Sequence, residues 1–193
     1  LVNKLKSKYI FVSRNFRFGK KRTGNTIMLK KYEKKYSYKT IITSPYQINK
    51  KTISSTLIRK SIVRGNVNNV QNYLGRFWSI KGEVIRGQKR GRKIGFPTCN
   101  IKWNSYALPK LGVYAVKVEA KNLKKRGIAN IGYRPTFNGK TLLLEVNIFG
   151  IKTNLYKKTL KISFIKFIRA EKKFKNISEL KNQIKQDIII AKK

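Results

Sequence analysis

GQKRGRKIGFPTCN, residues Gly87–Asn100, is the stretch from which the rest of the chain can be read. Gly87, Gly91 and Gly95 recur at four-residue intervals, with Lys89, Arg90, Arg92 and Lys93 between them. Glycine lets backbone N–H groups approach phosphate oxygens, and the cations supply countercharge. Pro97-Thr98-Cys99-Asn100 follows directly. In an extended conformation Thr98 and Asn100 share one face. A hydroxyl and a carboxamide oxygen beside a phosphate loop suit Mg²⁺, which takes few protein ligands and completes its shell with nucleotide oxygens. The spacing is neither a Walker A loop nor a dinucleotide fingerprint. On the residues alone, a phosphate loop and a plain basic hairpin both fit.

Downstream, a run of short apolar segments reads as strands: Trp78 to Arg86, Gly112 to Ala120, Arg126 to Tyr133, Thr141 to Phe149 and Thr159 to Ile168. Two alternate with period two. Leu142, Leu144, Val146 and Ile148 share one face, and Leu143, Glu145, Asn147 and Phe149 the other; Leu160, Ile162 and Phe164 alternate with Lys161 and Ser163. Short strands joined by glycine-containing turns predict a small antiparallel barrel. A final helix is expected with Ser178 as its cap and Ile177, Leu180, Ile184 and Ile188 as its apolar stripe. Upstream, strands at Tyr9–Val12 and Thr40–Thr43 flank a basic loop, Arg14 to Thr23, and a helix capped by Asn25 and running to about Tyr36. Two helices follow, one capped by Ser54 or Ser55 and ended by Gly65, the other ended by Gly75. This alternation suits the end of an α/β domain. The fold class expected is therefore α+β, with a boundary near Leu74–Phe77 separating residues 1–75 from residues 76–193.

Glu145 stands out in this pattern, a carboxylate among apolar strand neighbours. By alternation alone it is an outward, solvent-facing residue. The chain has no histidine, and its acids are only Glu33, Glu83, Glu119, Glu145, Glu171, Glu179 and Asp187, so few groups could act as a base. The single cysteine, Cys99, excludes an internal disulfide and a cysteine-based zinc cluster. Net charge is +40, from 47 Lys and Arg against 7 acids. Such a balance points to nucleic acid or anionic membrane. The cations run from Lys4 to Lys193 rather than forming a tail, which reads as compositional drift toward Lys and Asn rather than a nucleic-acid surface. No signal-peptide pattern or apolar run of about 18 residues occurs, so a cytoplasmic protein without membrane contact is expected. The oligomeric state is left open.

The segment GRKIGFPTCNI resembles the GRxxGFPTxN signature of riboflavin kinases. Four further blocks follow in the family's order: Gly112-Val113-Tyr114-Ala115, Asn130 to Phe137, Leu144-Glu145-Val146, and Ile168 to Phe174. Upstream, Asn15 to Gly19 and Ile53 to Arg59 resemble the second half of an FMN adenylyltransferase domain. The whole looks like the C-terminal two-thirds of a bacterial bifunctional riboflavin kinase/FAD synthetase. The resemblance implies a partial α/β nucleotidyltransferase segment followed by a Greek-key-like β-barrel with a C-terminal helix.

It also implies the chemistry: Mg²⁺-dependent transfer of the ATP γ-phosphoryl group to the 5′-hydroxyl of riboflavin, giving FMN. In the family the glutamate matching Glu145 is the general base. Gly87, Lys89, Arg90, Gly91, Arg92, Gly95, Pro97, Thr98 and Asn130 would serve the nucleotide, and Thr98 and Asn100 the metal. Arg134, Thr136, Arg169, Glu171 and Phe174 would serve the flavin, with Arg169 and Glu171 forming an ion pair beside the Phe174 ring. The chain departs from the family at Ala170, where proline is common, at Asn147 and Gly150, where His and Asp are usual, and at Asn15 and Asn25, where acids are frequent. Arg17, Ser54, Ser55, Thr56 and Arg59 read as the remnant of an adenylyltransferase site. The HxGH motif that site needs is absent, so the chain reads as a fragment or natural truncation. The competing reading is a non-catalytic basic barrel that binds RNA or ribosomes; it has no use for Glu145 together with Thr98 and Asn100.

Overall fold

The computed structural model describes residues 2–103, 107–136, 139–151 and 153–193, with the side chains of residues 2–3, 134–136 and 139–140 outside that description. The chain forms two compact units, Leu1–Ser54 and Ser55–Lys193.

In the first unit the strands Tyr9–Ser13 and Lys39–Thr43 pair in parallel, from Tyr9↔Lys39 to Ser13↔Thr43. Parallel neighbours need a crossover, and the helix Thr26–Lys31 lies in it. The Asn25 side chain accepts from the Met28 amide at 2.9 Å and caps this helix as expected. The helix ends at Lys31, and a separate turn, Glu33–Tyr36, follows Tyr32. The Glu33 carboxylate accepts from the Thr40 amide at 2.6 Å, a bond that holds its pKa below the ordinary carboxylate value. Val12, Leu29 and Tyr38 form the small core.

The second unit is a closed six-stranded barrel. Its strands are β1 (Ser79–Ile85), β2 (Cys99–Lys102), β3 (Gly112–Ala120), β4 (Leu123–Thr136), β5 (Gly139–Ile148) and β6 (Thr159–Arg169). The order around the barrel is β4-β5-β2-β1-β6-β3, and every pairing is antiparallel. Strands β3, β4 and β5 are consecutive neighbours and β6 returns beside β3, which is a Greek key. Closure leaves no free sheet edge.

The barrel is filled by side chains. Ile80, Val84, Ile101, Val116, Val118, Ile131, Leu144, Leu160 and Ile162 are all buried inside it. Tyr114 sits among them, edge-on to Phe164 at 5.1 Å, with its hydroxyl donating to the Lys110 carbonyl. Each large apolar side chain so buried contributes about 1.5–3 kcal/mol.

Helices α1 (Ser55–Val63) and α2 (Val67–Leu74) pack with the barrel, since Ile62, Val67 and Val70 belong to its core cluster. By packing, the chain divides at Ser54/Ser55, and the apolar faces of these two helices are buried on the barrel. Helix α3 (Ile177–Lys192) covers the outer face of β3 and β4, where Val113, Ala115 and Ile128 meet Ile184, Ile188 and Ala191. Its cap is Asn176 rather than Ser178. The Asn176 side chain accepts from the Glu179 amide at 2.8 Å, and the Glu179 carboxylate accepts from the Lys175 amide at 3.0 Å. This reciprocal arrangement satisfies two amides that a start at Ser178 would leave unpaired.

Candidate active site

Strand register builds the site. One row crosses the outer face of the barrel: Ile85 opposite Asn100, Asn100 opposite Glu145, Glu145 opposite Asn130, Asn130 opposite Val113, and Val113 opposite Arg169. All six line a cavity of about 680 Å³, within the range of small-molecule sites. Glu145 is half-buried here, while its strand neighbours Leu144 and Val146 face the barrel core. The outward face expected for Glu145 is thus a cavity floor rather than open solvent.

One wall of the cavity is the Gly87–Thr98 segment. The chain turns at Lys89 (φ 55°), makes a single helical turn over Arg90–Lys93, and turns again at Gly95 (φ 91°). The Phe96 amide donates to the Gly91 carbonyl at 2.8 Å, closing the loop. Gly91 lies directly against the Phe96 carbonyl, where a side chain would collide. Gly87, Lys89, Arg90, Gly91 and Lys93 line the cavity. Arg92, Gly95 and Pro97 are not in its lining.

Thr98 and Asn100 both line the cavity, and Cys99 points the other way, its thiol donating to the Val146 carbonyl at 3.5 Å. Burial pushes that thiol up to about 11. Asn100 is 7% exposed, and its side chain has no hydrogen-bond partner among the described residues. The Asn100 carboxamide and the exposed Thr98 hydroxyl, both on the cavity lining, offer a neutral oxygen pair that fits a hard cation already carried by a nucleotide.

The opposite wall is held by an ion pair with a different partner from the one expected. Arg169 grips Asp187 of α3, not Glu171. Its Nε donates to both carboxylate oxygens at 3.0 and 3.1 Å, and its Nη2 donates at 2.8 Å. The Asp187 side chain is 1% exposed and also accepts from Gln183 at 3.1 Å. Two bulges in β6, after Phe164 and after Phe167, bring Arg169 opposite Val113. Bulges re-aim side chains in this way. The Arg169 guanidinium also lies 5.7 Å from the centre of the Phe174 ring. Glu171 and Phe174 line the cavity, and Glu171 leans over Gly132, where any side chain would displace it.

Arg134 and Thr136 fall on β4, but their side chains lie outside the described residues. Of the adenylyltransferase remnant, Arg17 lies on a two-residue strand in the first unit, which Ser54 ends; Ser55, Thr56 and Arg59 are exposed on α1 in the second. Sequence reasoning assigned no role in the site to Asn147, Tyr156 or Asp187, all of which line the cavity. Asp187 had left a trace. It falls on the spacing 177, 180, 184, 187, 191, a carboxylate at a seam position of an otherwise apolar stripe.

The riboflavin kinase family (Flavokinase) matches residues 74–193, and the FAD synthetase family matches residues 1–57. Helix α2 lies almost wholly between the two matches. The chain is 45% identical over 196 residues to the bifunctional riboflavin kinase/FMN adenylyltransferase of Buchnera aphidicola subsp. Acyrthosiphon pisum (strain APS). It is 40% identical over 193 residues to the protein of the same description from Haemophilus influenzae. Both alignments cover the whole chain and 63% of the relative, so the chain spans less than two-thirds of these proteins. A solved chain described as a macrolide-efflux protein from Streptococcus pneumoniae superposes with a TM-score of 0.85 and 34% identity, covering 96% of this chain and 60% of that one. Among the described residues here, no helix is long and apolar enough to cross a membrane. The cavity row from Ile85 to Arg169 lies wholly inside the match that begins at residue 74, and by that match the chain belongs to the riboflavin kinase family.

Proposed function

We propose that the barrel unit transfers the γ-phosphoryl group of ATP to the 5′-hydroxyl of riboflavin, yielding FMN and ADP. The observation that carries this reading is Glu145 on the cavity floor, opposite Asn100 on one side and Asn130 on the other. Phosphoryl transfer needs an in-line arrangement, countercharge on the phosphates and a group to take the hydroxyl proton. Glu145 accepts that proton as the ribityl oxygen bonds to phosphorus and the β,γ-bridging oxygen departs with ADP. Lys89, Arg90 and Lys93 meet the phosphates, and the Gly87–Gly95 backbone lets them come close. Thr98 and Asn100 would hold Mg²⁺, which when bound neutralises phosphate charge. Arg169 and Phe174 form the wall for the planar flavin ring, with Glu171 a hydrogen-bond acceptor at its edge; by resemblance Arg134 and Thr136 belong to the same region. An enzyme that consumes ATP is placed in the cytoplasm.

The kinase-family match disfavours a non-catalytic RNA-binding barrel. Synthesis of FAD belongs, in this reading, to a longer parent that carries the HxGH motif. The purified chain is expected to form FMN and ADP from riboflavin and MgATP, followed by chromatography, and to form no FAD from FMN and ATP. Folded protein that makes no FMN overturns the first statement, and FAD above a no-enzyme control overturns the second.

A further inference from the structure

The ladder between β5 and β2 runs from Leu144↔Ile101 to Val146↔Cys99 and stops. One residue further along β5 a side chain takes over from the backbone. Asn147 Nδ2 donates to the Pro97 carbonyl at 2.6 Å, a bond spanning 50 residues of sequence. Asn147 is 9% exposed and lines the cavity two residues after Glu145, on the same outward face. The Pro97 carbonyl belongs to the same rigid peptide group as the Thr98 N–H, so holding it fixes the plane from which the Thr98 side chain departs. Within the loop, bonds such as Phe96 N–H to the Gly91 carbonyl maintain shape. The Asn147 bond instead maintains position against β5.

We infer that Asn147 is a positioning residue that ties the nucleotide wall to the strand carrying Glu145, setting where Thr98 stands relative to the base. The inference rests on the proposed kinase reading for its effect on turnover, but not for its effect on the loop. A purely structural Asn147 would loosen the barrel as a whole and affect both substrates alike. A tie on Pro97 acts on one wall only.

The test combines hydrogen exchange on the ligand-free chain with steady-state kinetics in which riboflavin and MgATP are varied separately. For Asn147→Ala, exchange is expected to accelerate within residues 89–98 and not in β3 or β6. Loss of one hydrogen bond corresponds to a rise of about 3- to 10-fold in KM for MgATP, with KM for riboflavin within about twofold. Asn147→His, whose ring N–H can reach the same carbonyl, should recover most of the loss. If Asn147→Ala does not fold, Asn147→Ser, too short to span the gap, replaces it. Unchanged exchange in residues 89–98 overturns the inference, as does an equal rise in both KM values. A wild-type chain that makes no FMN sinks the kinase reading instead, and the exchange comparison still decides the tie.

Discussion

The Gly87–Thr98 wall carries Lys89, Arg90, Arg92 and Lys93 with no carboxylate in ion-pair range among the described residues, whereas the facing wall pairs the half-buried Arg169 with the buried Asp187 at 2.8 Å. The first wall is a short closed loop on the surface. The second joins a bulged strand to a helix that covers the barrel. Charge on the first wall is left for a ligand to neutralise; charge on the second is already neutralised within the fold. On the proposed function, affinity for an anion and stability of the fold fall on opposite sides of one cavity.

The largest effect is expected on the floor between the walls. Glu145→Gln keeps size and hydrogen bonding but removes the proton acceptor, so kcat should fall by about 10²–10⁴-fold. Binding of MgATP and riboflavin should change little, because the lost interaction belongs to the transition state. The chain contains no histidine to substitute as base. Wild-type kcat in this variant would remove the mechanism.

The comparison of walls is broken most directly at the Arg169–Asp187 pair. Arg169→Ala leaves Asp187, whose side chain is 1% exposed, without its ion-pair partner, and urea titration should show a loss of about 3–5 kcal/mol. The same titration on Lys93→Ala, a cation with no counter-ion among the described residues, should move by less than about 0.5 kcal/mol. Equal losses in the two variants would mean that the walls do not differ as described. A smaller effect sharpens the other side. Thr98→Ala should weaken MgADP binding by about tenfold or less, the worth of one hydroxyl contact, and leave riboflavin binding intact. Calorimetry showing the reverse would reassign Thr98 to the flavin wall.

The parts of this molecule that were legible in sequence are those where one local rule acts alone. The alternation Leu142 to Phe149 was readable because one face of β5 fills the barrel and the other lines the cavity. Strand β3 shows no such alternation in Gly112 to Val116, since Tyr114 and Val116 face the core while Val113 and Ala115 are covered by α3. Both sides being covered, the strand reads as a plain apolar run. The bulges in β6 leave no mark in sequence, and without them Arg169 would not stand opposite Val113. Its partner was missed for the same reason. The Arg169–Glu171 pair looked natural because the residues are neighbours in sequence, but the barrel surface brings α3 to Arg169 from 18 residues away. The short strand β2 was foreseen only as a condition on Thr98 and Asn100, because four residues carry too little pattern to declare a strand.

Because the barrel is solid and the cavity lies on its outer surface, the two duties of each strand fall on alternate residues. Along β5, Leu142, Leu144, Val146 and Ile148 belong to one ledger of constraint and Leu143, Glu145 and Asn147 to another. Substitutions can accumulate in either set with little consequence for the other. A lineage whose composition drifts toward lysine and asparagine can thus exchange a residue on the cavity face while the interior continues to specify the same barrel. The architecture separates what the protein must be from what it must do, at a spacing of one residue.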